Sequence, residues 1–211
     1  MSALFQLSSG VYVVCSAAEG KASGCIANTA IQVTSTPPQI AITLNKKNLT
    51  SELIAKSGLF RVGMLAEAAT LEFIGLFGFK SGRDLDKFAG CGAVSTWKGI
   101  PCPVTFVTGV LSCALKNTVD VGTHLIFIGE VEEDAILSED PVMTYAFYHH
   151  TRKGSTPPNA PRPVAVSTAG KAQWRCTVCG FVYEDDPLPA DYICPLCDQD
   201  ASVFERIIGQ P

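Results

Sequence analysis

Cys176-Thr177-Val178-Cys179 and Cys194-Pro195-Leu196-Cys197 are two C-x-x-C pairs with fourteen residues between them. Four thiols at that spacing can close around one ion in a tetrahedron, so this small segment is expected to fold about a metal. Ligation by four thiolates does not choose between zinc and iron. An iron held this way carries one electron, which makes redox chemistry the expectation for whatever precedes it. The amides of such a turn approach the sulfurs and stabilise their negative charge. Gly180 can supply the positive φ that the first turn needs. Asp198 holds the corresponding place after the second pair, and Asp tolerates that conformation better than most residues. Trp174, Phe181, Tyr183 and Phe204 flank the cysteines and could shield a small site, an observation that favours iron.

Moving outward, charge separates this segment from the rest. From Lys171 onward there are three basic residues against seven acidic ones, out of sixteen and twenty in the whole chain. The net charge of −4 therefore resides there entirely. An acidic face on a redox carrier would steer it toward a basic docking surface and argues against nucleic acid; plain solubilisation of a small domain is the alternative. Thr151 to Gly170 is rich in Pro and small polar residues, a composition that cannot build a core and favours extended backbone. The boundary is placed near residue 168, giving domains of 1–168 and 169–211. No apolar run approaches the roughly 18 residues of a membrane span, and Met1 to Gln6 lacks the pattern of a signal peptide. A cytoplasmic location without membrane association is expected. Cys15, Cys25, Cys91, Cys102 and Cys113 have no framework spacing and read as reduced, buried thiols.

Residues before the linker read mainly as strands. Val11–Val14, Ala30–Val33, Ile40–Leu44, Phe60–Leu65, Val104–Val107 and His124–Val131 are β-branched or aromatic runs separated by turn residues. Leu49–Lys56 and Thr70–Phe77 have helical periodicity. Many strands with few helices point to an antiparallel barrel. No G-x-G-x-x-G joins a strand to a helix, and Gly78-Phe79-Lys80-Ser81 lacks the glycines of a P-loop, which argues against a doubly wound nucleotide domain.

Three polar clusters interrupt the apolar strands. Gly24-Cys25-Ile26-Ala27-Asn28-Thr29 sets hydrogen-bonding groups beside an apolar wall, which suits a planar ring with a polar edge. Asn45-Lys46-Lys47-Asn48-Leu49-Thr50-Ser51 follows a strand and opens a helix, where amides, hydroxyls and ammonium groups can converge on an anion. Lys80 to Phe88 is a charged loop in which Arg83, Ser81 and Lys87 could clamp a phosphate or carboxylate. Taken singly, each of these equally fits an ordinary strand end, helix cap or solvated loop.

In their order along roughly residues 1–160, Asn28 to Pro38, Asn45-Lys46-Lys47-Asn48, Phe79 to Phe88 and Gly122 to Val131 resemble the flavin reductase-like family of FMN-binding split barrels. Trp174 to Glu184 with Cys194-Pro195-Leu196-Cys197 and Phe204 resembles the rubredoxins, and the short gap between pairs is similar to the tails of rubrerythrins. The fusion of the two resembles the high-molecular-weight rubredoxin type. What the resemblance implies is a mainly β fold, a split-barrel flavin domain and a small rubredoxin-like domain, in a homodimer with flavin near the subunit interface. It implies that Ala27, Asn28 and Thr29 meet the isoalloxazine edge. Asn45, Lys46 and Thr50 would surround the phosphate, while Ser81, Gly82, Arg83 and Lys87 would line the flavin or nicotinamide side. Cys176, Cys179, Cys194 and Cys197 would hold one iron. His124 begins a strand as in the family, but Thr123 replaces the acidic neighbour expected there, and His149-His150 would border the pocket. The implied function is hydride transfer from NADH or NADPH to FMN, then single-electron transfer through iron to a flavodiiron oxygen or nitric oxide reductase, with no residue assigned as catalytic acid or base. A relay reduced by a separate reductase, or a zinc-bearing interaction domain on a flavin-binding barrel, are the alternatives.

Overall fold

The structure, a computed structural model, describes residues 7–150, 172–178, 181–183, 185–195 and 199–208. The expected boundary near residue 168, Gly180, Asp198 and two of the four paired cysteines, Cys179 and Cys197, lie outside the described residues. The chain opens with β1 (Tyr12–Ala18), β2 (Lys21–Ala27), β3 (Ala30–Ser35) and β4 (Pro38–Asn45), then α1 (Leu49–Ser57), β5 (Leu59–Leu65) and α2 (Leu71–Gly78). A short hairpin, β6 (Val94–Trp97) with β7 (Ile100–Pro103), precedes a long one, β8 (Val107–Asp120) with β9 (His124–Ile136), and α3 (Tyr145–His150) follows. Beyond the linker come β10 (Ala172–Cys176), β11 (Val182–Tyr183) and β12 (Phe204–Ile208). No helix among the described residues is long and apolar enough to cross a membrane.

Seven strands form one antiparallel sheet in the order β2-β1-β5-β8-β9-β4-β3. The long ribbon makes it curl. The first half of β8 pairs with β5, the first half of β9 pairs with β4, and the β8–β9 register shifts at Ser112/Cys113 and Leu115/Asn117. Bulges of this kind bend a strand and increase its twist, so the two ends of the sheet turn toward each other. Cys25 and Ala27 from β2 accordingly share a core with Ile40, Ile42 and Leu44 from β4, around Phe60 and Phe127, which are fully buried. A second core lies between the sheet, α2 and the small hairpin, built on Val13, Leu65, Phe77, Ile100 and Met143.

Five of the six expected strands and both expected helices are present. Val104–Val107 is the exception: Val104 to Phe106 form a turn, Phe106 has φ 61°, and the strand begins at Val107. Packing fixes that turn, since the Phe106 carbonyl accepts from Ala66 N at 2.8 Å and its ring lies edge-on to Phe73. β2 escapes a propensity reading because Lys-Ala-Ser-Gly-Cys-Ile-Ala is built of small residues. Its cause is the turn before it, where Glu19 and Gly20 both take positive φ (52° and 74°), the backbone of a two-residue hairpin turn. β1 and β2 then pair over seven residues.

The C-terminal module is a three-stranded sheet, β11-β10-β12. Its buried described residues are Cys176, Cys194 and Phe204.

Candidate functional site

A cavity of about 330 Å³ opens where the end of β2, the start of α1 and the end of α2 converge. Its floor is Gly24, Cys25, Ile26 and Ala27, and Ile74 and Phe77 of α2 form an apolar wall. α2 stands here because Thr70 caps it, its hydroxyl accepting from Phe73 N at 3.1 Å, and because Phe73, Ile74 and Phe77 are buried in the barrel core. Asn28 adds an amide at the strand end.

The opposite rim is the turn from β4 into α1. Asn45, Lys47, Asn48 and Thr50 line it. Asn45 organises the turn: its Oδ1 accepts from Lys47 N (2.9 Å), and its carbonyl accepts from Asn48 N (3.1 Å) and Ser51 Oγ (2.8 Å). Asn48 makes no side-chain cap, so the positive end of α1 borders the cavity, although Ser51 N already donates to the Asn48 carbonyl at 3.1 Å.

Lys87 closes the cavity from below. It is 4% exposed, and its ammonium donates to the carbonyls of Gly24 (2.9 Å) and Phe77 (3.1 Å). Burial pushes its pKa down, an effect partly opposed by the neighbouring Cys25 and Cys15 thiols. At Gly82 a Cβ would lie 2.2 Å from Ser23 Oγ and 3.0 Å from Ser23 Cβ, so a larger residue would have to displace the Ser23 side chain. Tyr145 and Tyr148 of α3 and His124 at the start of β9 complete the lining. His124 Nδ1 lies 2.7 Å from Thr123 Oγ1. An apolar floor, a polar rim and a helix N-terminus together fit a planar heterocycle carrying a phosphate tail.

The metal module supplies the second site. Cys176 ends β10 and its amide donates to Phe181 O (2.8 Å), Cys194 N donates to Gln199 O (2.7 Å), and Thr177 N donates to Val203 O (2.9 Å). Two turns on different segments thus bring two thiols, each 0% exposed, into one cluster with Phe204. Trp174, Phe181, Tyr183 and Tyr192 pack around them. Two buried thiols from paired C-x-x-C turns inside an aromatic shell fit a tetrathiolate ion. The described residues contain no group of three ligating side chains, because Cys179 and Cys197 are not among them.

The model of the flavin reductase like domain matches residues 4–155, and that of the rubredoxin-like domain of rubrerythrin matches residues 174–205. The chain belongs to the flavin reductase-like family. It is 38% identical to a high molecular weight rubredoxin of Moorella thermoacetica over 97% of this chain and 98% of that protein. It is 39% identical to a ferric-chelate reductase (NAD(P)H) of Archaeoglobus fulgidus, over 76% of this chain and 95% of that one. Among solved structures, flavoredoxin from Methanosarcina acetivorans superposes with a TM-score of 0.56 at 25% identity, covering 63% of this chain and 69% of that one. The flavin reductase-like barrel is an FMN-binding fold and the rubredoxin-like domain binds one iron, so these are the cofactors of the two sites.

Within the flavin reductase-like barrel, Ala27, Asn28, Asn45, Thr50, Ser81, Gly82 and Lys87 line one cavity although they come from three separated stretches of chain. Thr29, Lys46 and Arg83 stand outside that wall. Thr29 Oγ1 donates to Asn28 Oδ1 (3.1 Å), Lys46 pairs with Asp120 (2.6 Å), and Arg83 pairs with Glu52. His149 stacks edge-on against Tyr145, with ring centroids 4.3 Å apart, and is not in the lining. Ser23, Tyr145, Tyr148 and Val178 complete the cavity without a signal in local sequence, since each reaches it through tertiary packing.

Proposed function

We propose that the protein is an electron-transfer flavo-rubredoxin. It accepts hydride from NADH or NADPH onto FMN in the barrel cavity. It then passes electrons singly through iron held by Cys176, Cys179, Cys194 and Cys197 to an acceptor protein of the flavodiiron oxygen or nitric oxide reductase type. The observation that carries this reading is the presence, in one chain, of a flavin-sized cavity with a helix N-terminus on its rim and a module with buried paired thiols. When bound, FMN takes up two electrons as hydride and releases them one at a time, and a single iron carries one. The protein's own groups bind, orient and exclude water. Ala27 and Asn28, with Thr29 behind them, meet the ring edge. Asn45 and Thr50 hold the phosphate at the α1 N-terminus, and Lys46 adds positive charge nearby. Ser81, Gly82 and Lys87 contact the flavin, and Arg83 lies on the nucleotide side. The names of the Moorella and Archaeoglobus relatives support the two halves of the reaction.

Exposed Asp185, Asp191 and Asp200 of the module offer the acceptor an acidic face. Ile31 (60% exposed) and Val33 (43% exposed) on edge strand β3 offer an apolar surface to a second copy, which supports a homodimer. A cytoplasmic location accords with reduced, buried barrel thiols.

Anaerobic stopped-flow mixing with NADH and with NADPH tests the proposal. Flavin absorbance should bleach first and the ferric-thiolate bands second; flavin that stays oxidised with both nucleotides replaces the reductase with a relay fed by another protein. Because the ferric-chelate reductase relative matches 76% of this chain, a length the barrel alone could supply, a second reading has the barrel alone delivering electrons to chelated iron. Reduction of a ferric chelate by the Cys176→Ser chain at the wild-type rate would favour it.

A further inference from the structure

α2 divides its surface between two cores. Phe73, Ile74 and Phe77 are buried in the barrel, whereas Leu71 in its first turn and Phe79 just past its last pack on Cys176, Cys194 and Phe204. Leu71 touches both clusters. The chain that continues from this helix, Phe79 to Gly82, is one wall of the flavin cavity. Val178, in the turn between Cys176 and Cys179, lines the same cavity. The helix that seats the metal module therefore also shapes the flavin site, and one side chain of the metal-binding turn reaches into it.

Among the described residues the packed part of this contact is apolar. Residues 1–170 carry thirteen basic and thirteen acidic side chains, so the barrel offers no net charge to attract the acidic module. Leu71 and Phe79 make the seat, Val178, 46% exposed, stands at the cavity edge beside it, and Asp185 and Asp191 remain exposed for a partner. A docking surface that leaves the module's charge unused keeps its electrostatic steering for an external acceptor.

We propose that this contact is the electron-exit port, with electrons crossing from flavin to iron within a single chain through the Val178 turn. The inference rests on the flavin-to-iron reading above and adds which chain supplies the iron and which residues form the crossing. Val178 is two residues from Cys176 and one from Cys179, so a single side chain separates the cavity edge from the ligand turn. Each crossing oxidises the reduced flavin by one electron and converts one ferric ion to ferrous. The acceptor must remove that electron before the second crossing, and the flavin's protons pass to water.

Two experiments on the full-length holoprotein test this. In ¹⁵N-labelled protein, ferric iron should broaden the amide signals of Phe79 to Gly82, and zinc substitution should restore them. A labelled Cys176→Ser chain mixed with unlabelled iron-loaded chains should keep those signals sharp. Sharp signals in the all-iron protein, or broadening in the labelled Cys176→Ser chain, would overturn the proposal. In the second experiment Val178→Glu protein is photoreduced at the flavin without nucleotide. Compared at equal iron and FMN occupancy, iron reduction should slow about tenfold or more, the factor for ~1.4 kcal/mol of lost seating, while Val178→Ile retains the wild-type rate. An unchanged rate in Val178→Glu sinks the proposal. Because the electrons enter by light, failure of nucleotide to reduce the flavin, which defeats the reductase reading, leaves both results interpretable.

Discussion

The barrel and the metal module bury cysteine equally deeply and use it in opposite ways. Cys15, Cys102 and Cys113 are 0% exposed, as are Cys176 and Cys194. In the barrel the thiols lie among Val, Leu, Ile and Phe side chains of two large cores and act as small hydrophobes. Burial drives the Cys113 thiol up to about 12, which keeps it protonated and inert. In the module the buried described residues are two cysteines and one phenylalanine under a shell of partly buried aromatics, a small apolar core for a fold. Depth of burial therefore does not tell a ligand from a core residue. The turn does: Cys176 ends β10 and Cys194 follows the Ile193–Asp200 bridge, and the amide of each is already bonded, with both sulfurs buried.

The largest test of this contrast is Cys194→Ala. Metal binding to small thiolate sites contributes on the order of 10 kcal/mol of folding free energy. The variant should lose its metal and the hydrogen-exchange protection of residues 172–208, while the barrel keeps FMN and its melting temperature. A module that stays protected without metal would show that its aromatic shell suffices.

The reciprocal change is Phe127→Ala, which removes a fully buried ring from the core that joins β2 and β4. It should destabilise the barrel by about 3–5 kcal/mol, read as a lower denaturation midpoint by far-UV circular dichroism. The visible bands of the iron centre should survive at denaturant concentrations that unfold the barrel. Loss of both in one transition would mean that the two regions fold as a unit.

Gly82→Val acts on the site without touching either core. With Ser23 Oγ only 2.2 Å from the new Cβ, the wall must shift, a change worth about 1–3 kcal/mol. FMN affinity should fall by about tenfold to a hundredfold, measured by fluorescence titration of the apoprotein, with iron content unchanged. Unaltered affinity would place the flavin elsewhere.

These residues also show what a sequence discloses. The C-x-x-C pairs are local, so the metal module is legible from spacing. The strand runs carry enough β-branched residues to announce a barrel, and Asn45 and Lys87 stand in polar clusters that mark cavity rims. β2 was hidden because a turn with two positive-φ residues, rather than its own composition, makes it a strand. Thr29, Lys46 and Arg83 looked like neighbours of the cavity residues beside them. The pull of Asp120 and Glu52 turns the latter two away from its wall. Val178 has no local signal at all, since its place depends on α2 presenting Leu71 and Phe79 to a module far along the chain.

The smallest effect separates the two kinds of cysteine by the sign of their pH dependence. Cys113→Ala removes one sulfur from a core position and should cost about 1 kcal/mol near neutrality, with metal content unchanged. Its pH profile is more telling. The folded thiol titrates near 12 against an ordinary value of 9.0, so between those values the unfolded chain has released a proton that the folded chain retains. Stability from this group is complete below pH 9.0 and is lost as pH rises toward 12, at about 1.4 kcal/mol per unit. Denaturation midpoints of wild type and Cys113→Ala should therefore converge and then cross between pH 9.0 and 10.5, about 1.4 kcal/mol per unit being enough to offset the neutral-pH difference. Metal-bound thiolates behave in reverse, because protons compete with the ion and acid drives it off. Parallel wild-type and Cys113→Ala midpoints across that alkaline range would mean that the thiol titrates in the barrel as it does in the unfolded chain, and the distinction between packing and ligating cysteines would then need another basis than burial in an apolar core.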